Sequence, residues 1–355
     1  LLVFLPTPYP LLSGKLPAGD LELMMTGFCS SARFVEHETG EGHPERADRI
    51  RAIHRAVRLA GLITSPDPFP DFQADLGEVA HASKALVELE PVPADEGMLR
   101  LVHTREYIEH VRLACERGSE LDADTVTCRG SFEIATLSVG AGITAADAVM
   151  HGKVRRAFAA ARPPGHHAET ARAMGFCLFS NIAIVARHLE QSFGLHKIAI
   201  VDFDVHHGNG TQACLQGDRA FRFISLHQDP NTCYPGTGFP WETGAGAARG
   251  FITNIPFPPG AGDAEYLTAM DEQVIPALDA YHPEILLISA GFDAHRDDPL
   301  AQIRLSDEGF AQITRRLVDV ANRHCGGRIV SLLEGGYNLG ALGRGVVRHL
   351  MELCE

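Results

Sequence analysis

A carboxylate or an imidazole occupies every second position of Asp202-Phe203-Asp204-Val205-His206, and a further carboxylate stands at Asp293. In extended chain, residues two apart project to the same side. Asp202, Asp204 and His206 can therefore share a face while Phe203 and Val205 pack opposite. Asp204 and His206, joined by Asp293, would supply three nitrogen and oxygen ligands and leave one position open, which is the pattern of a catalytic zinc. The set lacks a thiolate, so iron(II) or cobalt would bind it too. The adjacent pair His166-His167 has the chemistry that metal-assisted hydrolysis requires: one group takes a proton from water and another delivers one to the leaving amine. Tyr337, between Gly336 and Asn338, can donate a hydrogen bond to a developing oxyanion. Each residue also has a plainer reading. Asp202 and Asp204 could cap helices, His206 and Tyr337 could be core residues, and His166-His167 could be further metal ligands or a turn after Pro163-Pro164.

What would bring these groups together is a set of buried strands. Apolar runs occur at Ala157–Ala161, Ile198–Val201, Phe221–Leu226, Ile285–Ser289 and Ile329–Leu333. Helical patterns separate them, as in Leu305–Arg323, where Phe310, Ile313, Leu317 and Val320 recur at helical spacing. Ser306 suits that helix as N-cap, with Asp307 and Glu308 in a first turn that favours negative charge. Near-continuous apolar strands alternating with helices predict a mostly parallel α/β sheet covered on both faces. In such a sheet the ligand site lies at the carboxyl ends of the strands. The polar segments Arg162–His167, Asp202–Gly210, Ala290–Asp293 and Glu334–Asn338 each follow one of the runs, so four strand ends deliver this chemistry to one rim.

The composition narrows the function. The chain has 355 residues, 31 basic and 45 acidic, for a net charge of −14. This balance speaks against direct nucleic-acid or anionic-membrane binding and leaves a cationic substrate open. No apolar run reads as long enough to span a bilayer. The 8 cysteines contain no C-x-x-C pair, which suits a reduced, cytoplasmic protein. Leu1–Ser13 is apolar but broken by Pro6, Pro8 and Pro10 and has no basic lead, a poor signal peptide. Residues 1–23 are expected to be an extension peripheral to a single domain at 24–355. There is no internal repeat or low-complexity tract.

Taken together, Arg162–His167, Asp202–Thr211, Ser289–Asp293 and Glu334–Tyr337 resemble motifs of the histone deacetylase family. His43-Pro44-Glu45-Arg46, Asn209 and Glu334–Asn338 resemble its class II branch, which has bacterial members. The resemblance covers about Gly27 to the C-terminus, and residues 1–26 fall outside it. It implies the arginase/deacetylase fold, with an eight-stranded sheet, and zinc held by Asp204, His206 and Asp293. It further implies that His166 and His167 act as a tandem pair, backed by Asp202 and Asn209 respectively, and that Tyr337 polarises the acyl carbonyl. Class I enzymes carry a carboxylate where Asn209 stands, so His167 should be less biased toward its protonated form. Some vertebrate class II enzymes that are poorly active carry His in place of Tyr337.

The resemblance also implies structural potassium at Asp202, Asp204, His206, Ser225 and Leu226, and a second monovalent site at Leu215, Asp218, Phe221 and Phe251. An acyl-lysine tunnel would be walled by Gly175, Phe176 and Tyr234. Asp124 matches a rim carboxylate that holds the substrate backbone, and Arg49 a residue near the acetate exit. The implied activity is hydrolytic removal of an acyl group, foremost acetyl, from the ε-amine of lysine in a protein. A small acylated amine is the alternative substrate. Polyamine-selective relatives carry Glu at the position of Leu300, which cannot pair a second ammonium. An arginase-like binuclear site would need further metal ligands where His166-His167 stand. A non-enzymatic acyl-lysine binding protein would not need the intact set. The reading leaves room for a homo-oligomer.

Overall fold

The computed structural model describes residues 25–355. The expected extension at 1–23 lies outside the described residues. The described chain runs β1 (Thr26–Cys29), α1 (Asp48–Leu59), β2 (Val87–Leu89), α2 (Glu96–Leu99), α3 (Arg105–Arg117), α4 (Ser131–Met150), β3 (Arg156–Ala159), α5 (Asn181–Phe193) and β4 (Ile198–Asp202). It continues through α6 (Asn209–Leu215), β5 (Phe221–Gln228), β6 (Ile252–Phe257), α7 (Asp263–Ala269), α8 (Ile275–Tyr281), β7 (Ile285–Ala290), α9 (Asp307–His324), β8 (Ile329–Leu333) and α10 (Leu339–Leu353). The strands form one 8-stranded sheet in the order β2-β1-β3-β8-β7-β4-β5-β6. Every pairing is parallel.

β3, β4, β7 and β8 are buried at every position, as strands must be when both faces of a sheet are covered. Their β-branched and aromatic content suits that environment. All five expected runs are strands, with ends shifted by up to two residues. Ser306 caps α9 by accepting from the Gly309 amide at 3.0 Å, as its sequence suggests. Two edge strands escaped the pattern. β2 has only three residues and is partly exposed, and β6 alternates with polar residues and contains Pro256. Proline is tolerated there because an edge strand has unpaired amide positions.

One sequence expectation needs correction. α4 is long and apolar enough to cross a membrane by length and composition. Its apolarity has another cause: α4 packs against β1, β3, β8 and α5 and is buried along most of its length. A helix that is apolar nearly all round is a core helix when protein surrounds it.

The sheet order sets the site. β4 lies between β7 and β5, and β8 lies between β3 and β7. The polar segments after β3, β4, β7 and β8 therefore emerge side by side at the carboxyl edge, as parallel α/β sheets dictate.

Candidate active site

At that edge Asp204, His206 and Asp293 converge, with one ligand atom from each lying within 4.8 Å of the others. All three are buried. His206 Nδ1 is 3.1 Å from Asp204 Oδ1 and 3.2 Å from Asp293 Oδ2. These separations are within a few tenths of an ångström of the roughly 3.3–3.6 Å edge of a tetrahedron built on metal bonds of about 2.0–2.2 Å. The other oxygens are used by the scaffold. Asp204 Oδ2 accepts from the Gly335 amide at 2.8 Å, and Asp293 Oδ1 from the Val205 amide at 2.9 Å. Asp293 Oδ2 is buried and accepts no hydrogen bond. A side chain at Gly335 would collide with it, since a Cβ there would sit 1.9 Å away. Two buried carboxylates facing one imidazole, with an oxygen left over, fit a divalent cation, because burying such charge unpaired is costly. Burial raises the Asp293 carboxyl, and Asp204 beside it adds to the effect.

The histidine pair lies next to these ligands. The rings of His166 and His167 are 4.0 Å apart between centroids, and His167 is 5.9 Å from His206. His166 Nδ1 meets Asp202 Oδ2 at 3.0 Å, and His167 Nδ1 meets Asn209 Oδ1 at 2.7 Å. The Asn209 amide nitrogen donates to Glu169 Oε1 at 3.1 Å, which turns its oxygen toward His167. His167 therefore carries its proton on Nδ1 and presents a free Nε2 lone pair. The two rings are biased in opposite directions. Burial alone would lower His166, but Asp204 and then Asp202 push it up to about 10. Burial, with His166 and His206 adding to it, holds His167 well below the ordinary histidine range. A protonated and a neutral imidazole side by side make an acid and a base.

Tyr337 faces Phe176 edge-on at 5.8 Å, and the Arg49 guanidinium lies 5.1 Å from its ring centre. Burial raises the Tyr337 phenol well above its usual value and Asp293 adds to this, so it remains a donor. Gly175 and Phe176 both adopt left-handed backbone, with φ of 56° and 68°. At Gly175 a Cβ would come within 2.4 Å of the His167 ring, so only glycine lets this wall approach. Tyr234 packs on His167 at 5.2 Å from another side. Phe176 and Tyr234 thus stand beside the catalytic groups, the first against Tyr337 and the second against His167. Asp124 is wired to that wall: its Oδ1 accepts from the Thr125 hydroxyl, which accepts from the Phe176 amide at 3.2 Å. Tyr234 and Leu300 are each 40% exposed.

The expected potassium ligands are adjacent. β4 and β5 pair Asp202 with Ser225, and Leu226 follows on β5. Leu215, Asp218, Phe221 and Phe251 also gather. The Asp218 amide donates to the Leu215 carbonyl, the Phe221 amide to that of Asp218, and Phe251 lies beside Phe223.

Three carboxylates near the site were not singled out from the sequence. Glu45 is wholly buried and binds Arg162 through both oxygens and Arg49 at 3.0 Å. Burial opposes its charge, but Arg162 and then Arg49 hold its carboxyl well below the usual range. Arg49 also donates to the carbonyls of Gly336 and Glu334, which ties α1 to the Tyr337 turn. Glu334 accepts from the amides of Gly165 and His166 at 2.7 and 3.1 Å, locking the histidine turn to the end of β8. Asp298 accepts from the amides of Tyr337 and Asn338. In the sequence Glu45 and Glu334 stood only within the motifs His43-Pro44-Glu45-Arg46 and Glu334–Asn338, with no role assigned to either.

The Histone deacetylase domain family matches residues 43–353 of this sequence. The chain belongs to the histone deacetylase family. It is a deacetylase-family amidohydrolase with an Asp-His-Asp metal site. It is 39% identical over 320 residues to a probable deacetylase of Archaeoglobus fulgidus, covering 90% of this chain and 83% of the relative. It is also 39% identical over 307 residues to a histone deacetylase-like amidohydrolase of Pseudomonas aeruginosa, covering 86% and 75%. The crystal structure of the HDA15 HD domain superposes with a TM-score of 0.83 at 34% identity, covering 93% of this chain and 89% of that one. Its all-parallel architecture agrees with this deacetylase-domain fold.

Proposed function

We propose that this chain is a zinc-dependent deacetylase that hydrolyses the amide between an acetyl group and the ε-amine of lysine in a protein. The observation that carries the reading is the meeting of Asp204, His206 and Asp293 with the His166-His167 pair; Phe176 and Tyr234 would wall a slot for the acyl-lysine, with Leu300 at its mouth. When bound, zinc supplies Lewis acidity to the scissile carbonyl and to water. The remaining work falls to side chains. His167 Nε2, freed by the Asn209 contact, accepts a proton as water adds to the carbonyl carbon. The Tyr337 hydroxyl donates to the oxygen on which charge develops. His166, held between Asp202 and Asp204, keeps positive charge near that oxygen. The C–N bond then breaks, and the proton passes from the histidine pair to the leaving lysine amine. Arg49, buried beside Tyr337, matches the residue that the resemblance sets near the acetate exit.

An uncharged, exposed Leu300 supports an extended lysine side chain over an acylated polyamine, whose additional ammonium finds no carboxylate there. Side-by-side turnover of an acetyl-lysine peptide and an acetylpolyamine tests this. We expect the peptide to have the higher kcat/KM and Leu300→Glu to raise the relative value for the polyamine roughly five- to a hundredfold, the effect of a partly desolvated ion pair. Preference of the wild-type protein for the polyamine would overturn the substrate assignment. Structural potassium belongs to the same proposal, supported by the adjacency of Asp202 and Ser225. Replacing potassium by tetramethylammonium should lower the melting temperature, and an unchanged value would remove that part.

A further inference from the structure

Asp298 is buried, and among the described residues it forms no ion pair with Lys, Arg or His. Its charge is met by backbone amides alone. Oδ2 accepts from Tyr337 at 2.7 Å and Asn338 at 3.1 Å, and Oδ1 accepts from Leu300 at 3.1 Å. A buried carboxylate is expensive, and three amides compensate it only while all three stay in place. Asparagine would have one acceptor oxygen for the same three donors. The charge is thus poorly explained as filling and well explained as a clamp.

The clamp joins two segments that would line the proposed slot. One is the Tyr337 turn, whose next residue, Asn338, caps α10 through the Ala341 amide and donates to the Asp297 carbonyl. The other is the segment Asp297–Gln302, which carries the exposed Leu300. That segment continues the connection: the Gln302 amide donates to Gln228 Oε1 at 2.8 Å, and Gln228 Nε2 donates to the Thr232 hydroxyl at 3.1 Å. Thr232 lies two residues before Tyr234. Leu300, Tyr234 and Tyr337 therefore share one hydrogen-bonded frame, in which the Asp298 carboxylate bonds to both the Tyr337 turn and the Leu300 segment.

We propose that Asp298 is a positioning residue that couples occupancy of the slot mouth to the placement of the Tyr337 hydroxyl. The proposal rests on the reading of Tyr337 as oxyanion donor. Substrate groups outside the slot, pressing on Leu300, then help to set the donor needed in the transition state. Binding energy from remote parts of the substrate would thereby appear in kcat and not only in KM. A purely architectural role for Asp298 would affect folding, or all activities alike.

The decisive experiment is a double-mutant cycle with Asp298→Asn and Tyr337→Phe, read as kcat, KM and metal content on an acetyl-lysine peptide. Asp298→Asn alone should lower kcat at least about tenfold, with KM changed less than about threefold and metal retained. In the Tyr337→Phe background the same change should cost less than about threefold, because the hydroxyl it positions is gone. A second reading compares that peptide with an acetyl-lysine amide lacking flanking residues. The kcat advantage of the peptide should shrink in Asp298→Asn, and also in Leu300→Gly, which keeps the clamp intact and serves if the Asp298 variant does not fold. Undiminished cost of Asp298→Asn in the Tyr337→Phe background, loss of metal, or an unaltered peptide advantage in Leu300→Gly overturns the proposal. A Tyr337→Phe protein with wild-type kcat instead overturns the reading of Tyr337, and this coupling falls with it.

Discussion

Replacing Asn209 by Asp tests the division of labour between the two histidines. The Asn209 oxygen sits 2.7 Å from His167 Nδ1, so the substitution exchanges a neutral acceptor for a charged one without moving it. A carboxylate at that distance stabilises the imidazolium, and an opposite charge this close shifts a pKa by about 1–3 units, or about 1.4 kcal/mol per unit. The second new oxygen would face Glu169 Oε1, to which the Asn209 nitrogen now donates at 3.1 Å. That like-charge contact offsets part of the gain, so the lower half of the range is expected. His167 must be neutral to take a proton, and raising its pKa enlarges the pH range over which it is blocked. The acid limb of kcat/KM should therefore move upward by about 1–2 pH units while the plateau at high pH is largely kept. Initial rates on an acetyl-lysine peptide from pH 5 to 9, with metal content measured at each end, provide the assay. An acid limb that stays in place, or moves down, with metal intact would refute His167 as the base.

Three other outcomes follow from the same geometry. Asp293→Ala should remove most bound metal and most activity, since it deletes one of three ligands; full occupancy with normal turnover, by elemental analysis and rate assay, would sink the ligand assignment. Tyr337→Phe should lower kcat by about a hundred- to a thousandfold and leave metal in place, and a loss below about threefold would make Tyr337 a packing residue. Its melting temperature should hardly change, because among the described residues its hydroxyl has no hydrogen-bond partner to leave stranded. His349 links stability to pH. It is buried between the hydroxyls of Thr314 and Ser331 at 2.7 and 2.9 Å, and burial lowers its pKa to about 3. The unfolded chain takes up this proton below about pH 6.5 while the folded one does not, so stability is complete above that pH and is lost as pH falls toward 3. Urea unfolding from pH 7 to 4 should show His349→Gln, although less stable at pH 7, losing less stability per pH unit than wild type; equal slopes would remove His349 as a contributor.

Much of the site was legible in the residues themselves. The two-residue alternation from Asp202 to His206 follows from strand geometry, and a parallel sheet places such segments at its carboxyl edge whatever the details of packing. Those rules are local, or belong to a whole architecture, so types and spacing suffice for them. The same rule put Asp293 and Tyr337, on different strand ends, at that rim, and the resemblance of the motifs then supplied their roles. The edge strands β2 and β6 were not legible, because short or interrupted strands owe their existence to the neighbours they pair with. Nor did the apolarity of α4 declare its origin, since a core helix and a spanning helix satisfy the same local rule.

Tertiary structure alone decided what holds the rim in shape. Glu45 reads locally as an ordinary acidic residue of the segment before α1, and only folding brings Arg162 onto it across 117 positions of chain. Glu334 and Asp298 act chiefly by accepting backbone amides, contacts that leave no trace in residue types. The opposite bias of His166 and His167 arises in the same way. The two are neighbours in the chain and alike in type, and they differ because Asp204 and Asp202 offset the burial of the first ring, while burial beside His166 and His206 dominates the second. Ligand identity is thus written in side chains that sequence patterns can expose, while the charge state and aim of those side chains depend on distances that exist only after the strands have packed.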